Sequence, residues 1–202
     1  MTELNDEAIL AAKRVMRADI QLLLQGISDT ERRSASREAS ARLVELEELR
    51  EADAVLFYMA LRTELDPGSA MASCFKEGIR VAVPRVDEES GELDAIEIES
   101  FDDRLFDRDG LGVLTPKAGK RLRMTELDLV IVPGIAFDRS GGRLGRGRGF
   151  YDRLLVRAPP RCKSVGFAFQ RQMVNSVPTD AADRRVAMVI TEAETIEVRP
   201  VE

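Results

Sequence analysis

Short, predominantly apolar segments alternate along this sequence with segments of helical periodicity, and this alternation limits the fold more than any other feature. The apolar segments are 54–60 (AVLFYMA), 80–84 (RVAVP), 127–132 (LDLVIV), 164–168 and 186–191. A strand that is apolar on both sides is typical of a parallel sheet buried on both faces. The sequence therefore predicts a mostly parallel sheet with helices on both sides, an α/β/α sandwich.

Helical segments and turn signals fill the intervals between these strands. Helices are predicted over residues 5–25, 28–50, 66–78 and 150–156. Ser28 and Glu31 have the spacing of a capping box at the start of the second helix. Residues 93–98 alternate in polarity, which predicts an edge or antiparallel strand. No repeat or linker interrupts the pattern, so residues 1–202 are expected to form one domain.

Composition excludes several classes of protein. The chain has no histidine, which removes Ser-His-Asp triads, Cys-His pairs and histidine metal sites. Its net charge of -6 argues against a general nucleic-acid binder. Cys74 and Cys162 stand alone and are expected to be small, buried or half-buried thiols. The acidic first residues and the lack of a long apolar run predict a cytoplasmic protein with no membrane partner, and we expect a monomer.

A glycine- and arginine-rich segment, residues 132–155, carries the clearest chemical signal. It starts where a predicted strand ends and leads into a helix, which is where α/β sheets bind ligands. Arg143, Arg146 and Arg148 are interleaved with Gly141, Gly142, Gly145, Gly147 and Gly149. Glycine frees the backbone to approach a ligand, and guanidinium groups match phosphate oxygens. The segment predicts a polyphosphate-binding loop without a Walker pattern; a solvated flexible loop is the alternative.

Carboxylates and aromatic residues flank this loop. Asp138 and Asp152 bracket it and are candidate Mg²⁺ ligands. The alternatives are a turn residue for Asp138 and a first-turn helix acid for Asp152. Phe150 and Tyr151 are candidates for stacking on a flat heterocycle, or one of them belongs to the core.

The first helix carries a second basic cluster. Lys13, Arg14 and Arg17 lie within about one turn, and Lys13 and Arg17 share a face at a spacing of four residues. The two side chains on that face are placed to bind one anion together. We expect the face to be exposed, so an ordinary solvated surface is the alternative.

Several segments together resemble one known family. PGIAFD (133–138) and RLGRGRGFYDR (143–153) resemble the signature of the 5-formyltetrahydrofolate cyclo-ligases, also called 5,10-methenyltetrahydrofolate synthetases. KRVMR (13–17) resembles that family's basic opening, and FYMALRTELD (57–66) resembles its folate-binding segment. Segments from residue 164 to 192 follow in family order, so the resemblance covers nearly the whole chain.

The resemblance implies a NagB/RpiA/CoA-transferase-like sandwich and a reaction. ATP and Mg²⁺ would convert 5-formyltetrahydrofolate to 5,10-methenyltetrahydrofolate, with release of ADP and phosphate. Lys13, Arg14 and Arg17 would bind the phosphates, and residues 143–151 (Arg143, Leu144, Gly145, Arg146, Gly147, Arg148, Gly149, Phe150 and Tyr151) would wrap the nucleotide. Arg148 and Lys13 would act in catalysis. Met59, Glu64 and Tyr151 would contact the folate, and Asp152 and Asp138 the metal.

The sequence differs from the family pattern at three positions. Thr115 stands where the family has Glu, Ala182 where it commonly has His, and Ala187 where it usually has Asp. Because of these differences, one alternative is that the chain is a folate-binding relative of the family that has lost turnover. A small-metabolite kinase or phosphatase on the same scaffold is the other alternative.

Overall fold

The computed structural model describes residues 2–87, 89–108 and 112–198. The helices are α1 (Thr2–Gln25), α2 (Asp29–Glu45), α3 (Glu47–Arg50), α4 (Gly68–Glu77) and α5 (Phe150–Arg157). The strands are β1 (Ala54–Leu56), β2 (Arg80–Val86), β3 (Leu93–Ile98), β4 (Phe106–Arg108), β5 (Leu114–Pro116), β6 (Arg121–Leu122), β7 (Leu129–Val132), β8 (Ala136–Asp138), β9 (Arg143–Leu144), β10 (Lys163–Phe167), β11 (Met173–Val174), β12 (Met188–Ile190) and β13 (Thr195–Glu197). Single 3-10 turns lie at Asp103–Leu105, Met124–Glu126 and Gln170–Gln172.

The main sheet has eight strands in the order β13-β12-β10-β7-β1-β2-β3-β6. Its five central strands, from β12 to β2, pair in parallel. The outer strands β13, β3 and β6 pair antiparallel. The predicted mostly parallel sheet is confirmed, and so is the antiparallel strand at 93–98.

Each central strand sends alternate side chains into two separate cores. Leu129 and Ile131 of β7 pack in the core that also contains residues of α1, α2 and α4. Val130 and Val132 pack in the opposite core with Leu154 of α5. This alternation follows from the period of two along a strand. It produces the three layers that the sequence predicts.

Several predicted elements are shorter than expected, and one strand and one helix illustrate this. The strand predicted over 54–60 ends at Leu56. Tyr58 lies outside the strand and donates its hydroxyl hydrogen to the carbonyl oxygen of Leu65. The helix predicted over 28–50 is broken at Leu46, whose ψ of 132° is extended. The break lets the short helix α3 bury Leu49 in the core.

Helix ends follow the sequence signals more closely. Ser28 Oγ accepts a hydrogen bond from the Glu31 backbone N–H at 3.2 Å and so caps α2. Gly78 ends α4 with a φ of 74°, a left-handed conformation that glycine adopts readily. Within the described residues, no helix is both long and apolar enough to span a membrane.

Candidate active site

A cleft of about 840 Å³ opens at the carboxyl ends of β1 and β7. Its walls come from α1, from the residues after β1, from the whole of segment 143–153 and from residues 182–184. This is the edge at which parallel sheets of α/β proteins bind ligands. Segments that are far apart in the sequence therefore share one concave surface.

The basic face of α1 meets the glycine- and arginine-rich loop in this cleft. Arg17 Nε donates to the carbonyl oxygen of Gly145 at 2.8 Å. Lys13 Nζ lies 2.6 Å from Oδ2 of both Asp180 and Asp183. The expectation of an exposed face is wrong for Lys13, which is only 5% exposed. Two carboxylates from a distant segment neutralise it and allow it to be buried.

Arg14 lies apart from these two residues. Its side chain is exposed and does not line the cleft, although it follows Lys13 directly in the sequence. Neighbouring helix residues point about 100° apart, so Lys13 and Arg17 face the loop together while Arg14 does not. The structure thus separates the predicted basic trio.

Arg143 is buried beneath the loop and contacts protein groups. Its Nη2 donates to Asp152 Oδ1 at 2.6 Å, and its Nη1 donates to the carbonyl oxygen of Pro133 at 3.4 Å. Asp152 Oδ1 also accepts a hydrogen bond from the Arg184 backbone N–H at 3.1 Å. Asp152 Oδ2 has no hydrogen-bond partner among the described residues, and Asp152 lines the cleft. Arg143 therefore orients a carboxylate that keeps one oxygen available.

A second ion pair joins the loop to the segment after β1. Arg146 donates to Glu64 Oε1 through Nε at 3.2 Å and through Nη2 at 3.0 Å. Glu64 Oε2 accepts from the Leu61 backbone N–H at 3.0 Å. Glu64 is buried and lines the cleft together with Met59. These two of the three predicted folate contacts therefore lie in the same cleft as the loop.

Arg148 differs from the other arginines of the loop. Its side chain is exposed, lines the cleft and has no ionic or hydrogen-bonded partner in the described part of the chain. Arg184 has the same properties, and the sequence reasoning missed it. These two guanidinium groups can bind an anionic ligand without first breaking an ion pair to a carboxylate of the described residues.

The two aromatic residues do not divide into one core residue and one cleft residue, since Phe150 and Tyr151 both pack against a core and both line the cleft. Tyr151 packs against both hydrophobic cores and also lines the cleft. Burial raises the pKa of its phenol well above the ordinary value, and the charge of Glu64 raises the pKa further. The phenol therefore stays protonated at neutral pH. Pro84, Val86 and Leu93 add apolar surface to the same cleft, which suits a flat heterocycle.

Asp138 lies outside the cleft lining and is almost fully buried. Oδ1 accepts from the Ser140 N–H (2.9 Å), the Ser140 hydroxyl (2.7 Å) and the Gly142 N–H (2.9 Å). Oδ2 accepts from the Val177 N–H at 2.8 Å. Burial raises the pKa of this carboxyl, but the four hydrogen bonds outweigh it and the net pKa is lowered. This geometry favours the turn-residue alternative over a metal ligand.

The loop predicted over 138–149 is partly regular. β8 and β9 pair antiparallel, so its first half is a short hairpin with Asp138 at the turn. Its second half, residues 145–149, forms the rim of the cleft. Within the described residues, no group of three or more acidic or cysteine side chains forms a ready metal site.

The sequence reasoning also missed Asp180 and Asp183. They lie in an irregular segment before β12, and the pair of aspartates three residues apart was the only signal. Two of the three family differences fall in the cleft, since Thr115 and Ala182 both line it. Ala187 does not line the cleft, and its backbone N–H donates to the Ser164 carbonyl oxygen at 2.9 Å.

Comparison with known proteins agrees with this architecture. The 5-formyltetrahydrofolate cyclo-ligase family model matches residues 9–192, and the chain belongs to this family. The mouse (Mus musculus) 5-formyltetrahydrofolate cyclo-ligase is 26% identical over 191 residues, which cover 90% of this chain and 94% of the mouse protein.

Two solved structures share the fold. The NMR structure of the Aquifex aeolicus 5,10-methenyltetrahydrofolate synthetase has a TM-score of 0.82 and 29% identity, over 94% of each chain. The Mycoplasma pneumoniae 5,10-methenyltetrahydrofolate synthetase has a TM-score of 0.73 and 19% identity, over 89% of this chain and 98% of that one. The second similarity concerns the fold alone.

Proposed function

We propose that this chain uses ATP to convert 5-formyltetrahydrofolate to 5,10-methenyltetrahydrofolate, with release of ADP and phosphate. The observation that carries this proposal is the meeting of α1 and the glycine- and arginine-rich loop in one cleft, beside an apolar wall and Glu64. A cleft with a basic rim and an apolar wall suits two substrates, one a polyphosphate and one a flat heterocycle. Membership of the family supports the same activity.

The phosphates of ATP would lie against the loop. Arg148 and the two outer nitrogens of the Arg17 guanidinium are available, since within the described residues only Nε of Arg17 donates a hydrogen bond. Gly147 and Gly149 adopt φ values of 99° and 66°, which turn the backbone in a way other residues rarely allow. The amino end of α5 follows and adds a partial positive charge. Lys13 would act from the base of the cleft, where it is already paired.

The folate would occupy the apolar side of the cleft. Met59 and the Tyr151 ring offer apolar contacts, and the Glu64 carboxylate can accept hydrogen bonds from ring N–H groups. Arg146 holds Glu64 in place through a two-pronged contact. A reduced pterin fits such a combination of flat apolar surface and one oriented acceptor.

The chemistry needs alignment more than an acid or a base. The formyl oxygen attacks the γ-phosphorus, a new O–P bond forms, and the bond to ADP breaks. The neighbouring folate amine then attacks the activated carbon, the ring closes as this nitrogen loses its proton to solvent, and phosphate leaves with the former formyl oxygen. Both nucleophiles belong to the substrates. The protein aligns them and neutralises developing charge, which Arg148 is placed to do.

Mg²⁺ would find one suitable side chain in the cleft. Asp152 presents its free Oδ2, and Arg143 and the Arg184 N–H fix the other oxygen. Protein Mg²⁺ sites commonly use one or two carboxylates together with substrate phosphates, so this donor set fits. When bound, the ion would neutralise phosphate charge. Asp138, with both oxygens engaged in a turn, is not part of this proposal.

A folate-binding relative without turnover is the second candidate. Thr115 and Ala182 line the cleft at positions where the family carries Glu and His, so the substitutions change its surface directly. Such a protein would bind 5-formyltetrahydrofolate without producing ADP. The expectations of a single domain, a monomer and a cytoplasmic location also stay parts of our proposal.

Release of ADP separates these functions. The purified chain is incubated with ATP and Mg²⁺, with and without 5-formyltetrahydrofolate, and ADP is quantified. We expect ADP only when the folate is present. ADP formed with the folate but without methenyltetrahydrofolate would favour a kinase, and folate binding without ADP would favour the non-catalytic relative.

A further inference from the structure

One guanidinium group joins two walls of the cleft. Arg153 Nη1 donates to the carbonyl oxygen of Arg148 at 3.0 Å, and its Nη2 donates to the carbonyl oxygen of Gly91 at 3.3 Å. The guanidinium carbon lies 5.3 Å from the centre of the Phe150 ring. The planar fork of arginine can make these contacts together, whereas a lysine ammonium is a point charge on a flexible stem.

The two carbonyl partners belong to different parts of the site. Arg148 lies in the loop that rims the cleft, and Gly91 lies in the connection between β2 and β3. That connection is flanked by Val86 and Leu93, which line the apolar wall. Arg153 therefore ties the basic rim to the apolar wall.

The backbone between Arg148 and Arg153 leaves room for this contact. Gly149 has a φ of 66°, and a Cβ atom added there would come within 3.0 Å of Arg153 Nη1. A side chain at residue 149 would therefore both strain the backbone and press on the guanidinium group. The glycine and the arginine form one local arrangement.

We propose that Arg153 is a positioning residue that holds residues 147–149 in the conformation that binds ATP. It acts through the Arg148 carbonyl oxygen and keeps the loop fixed to the β2–β3 connection before the nucleotide arrives. Loss of this contact leaves more of the loop to be ordered on binding, which weakens affinity. This role rests on the proposed function in one respect, namely that the ligand bound by the loop is ATP.

Arg157 supplies a matched control. It lies one turn further along α5 and contacts the same β2–β3 connection, through Glu92 Oε2 and the Leu93 carbonyl oxygen. Within the described residues, its side chain makes no hydrogen bond to the loop, and it is not part of the cleft lining. Removal of either arginine loosens the connection from α5, but only removal of Arg153 frees the loop.

The test compares Arg153→Ala, Arg153→Lys and Arg157→Ala. Calorimetry with ATP and Mg²⁺ gives the Kd, and steady-state kinetics give kcat and both KM values. Loss of the hydrogen bond to the loop, and of the one that ties Arg153 to Gly91, predicts a Kd and a KM for ATP about tenfold higher in Arg153→Ala. We expect an intermediate value in Arg153→Lys and values within about twofold of the parent in Arg157→Ala. The backbone amides of 147–149 should exchange hydrogen faster only in the Arg153 variants.

The outcomes separate this role from the proposed reaction. ATP affinity that is unchanged in Arg153→Ala, or weakened equally in Arg157→Ala, overturns the positioning role. A parent chain that binds ATP without turnover removes the proposed reaction and leaves the comparison of Kd values valid. A parent chain that binds no ATP overturns both.

Discussion

Replacing Lys13 by methionine removes one buried charge and keeps most of the side chain's apolar volume. The change breaks ion pairs to Asp180 and Asp183, whose side chains are 32% and 19% exposed. Removing one partner of a fully buried pair costs about 3–5 kcal/mol. Because solvent screens these two carboxylates in part, we expect roughly 1–2 kcal/mol. For a chain of this length that lowers the Tm by roughly 2–8 °C.

The pH dependence of the effect follows from the directions of the pKa shifts. Burial lowers the pKa of Lys13, but the two carboxylates outweigh it and the net pKa is raised. The hydrogen bond from Lys13 is the main cause of the lowered pKa of Asp180. The lysine contribution is complete below its unfolded pKa, about 10.4, and is lost as the pH rises through the folded value. The aspartate contribution is complete above about 3.9 and is lost as the pH falls through the folded value.

Thermal melts followed by circular dichroism test both parts of this prediction. The Tm difference between the parent and Lys13→Met should be largest between about pH 4 and pH 10 and should shrink outside that range. Arg14→Met is the control, because Arg14 is exposed on the same helix. A Tm at pH 7 that moves no more in Lys13→Met than in Arg14→Met would refute the reasoning.

Four further outcomes are expected. Arg148→Ala should lower kcat/KM by about 10² or more, worth roughly 3 kcal/mol at a transferring phosphoryl group. The Tm should be almost unchanged because the side chain is exposed, and steady-state kinetics and a melt check both results. Arg17→Ala should raise the KM for ATP far more than the KM for folate, as initial rates with each substrate varied will measure. Asp138→Ala should lower the free energy of unfolding by about 2–4 kcal/mol in urea titrations, because four hydrogen-bond donors lose their acceptor. Excess chelator should abolish the formation of methenyltetrahydrofolate, followed by the absorbance of this product, without a change in the Tm. The reason is that the expected metal contacts the nucleotide and Asp152.

The parts of the fold that depend on local pattern could be predicted from the sequence. Apolar segments marked the central strands. Gly78 marked the end of a helix, because a helix often ends in a left-handed conformation that glycine adopts readily. The position of the glycine- and arginine-rich loop could also be predicted, because the loop starts where an apolar segment that predicts a strand ends. The break at Leu46 could not, because it depends on how Leu49 enters the core.

The pairing of charges could not be predicted, because it depends on contacts between distant segments. Lys13 meets two aspartates that lie 167 and 170 residues away, and no local pattern reports such a contact. Arg143 and Arg148 are nearly equivalent in the sequence, but Arg143 is buried against Asp152, whereas Arg148 lines the cleft and its side chain has no partner among the described residues. Composition identifies a basic loop, and only the packing decides which of its arginines face a ligand.

The most direct test of the proposed ATP-dependent reaction is to measure the formation of methenyltetrahydrofolate. The purified chain is mixed with 5-formyltetrahydrofolate, ATP and Mg²⁺, and the absorbance of the product is followed while ADP is measured in the same sample. We expect a rise in absorbance that requires ATP, with one ADP formed for each methenyltetrahydrofolate. No rise in absorbance with a folded, folate-binding chain, or a rise that is independent of ATP, would contradict the proposed reaction.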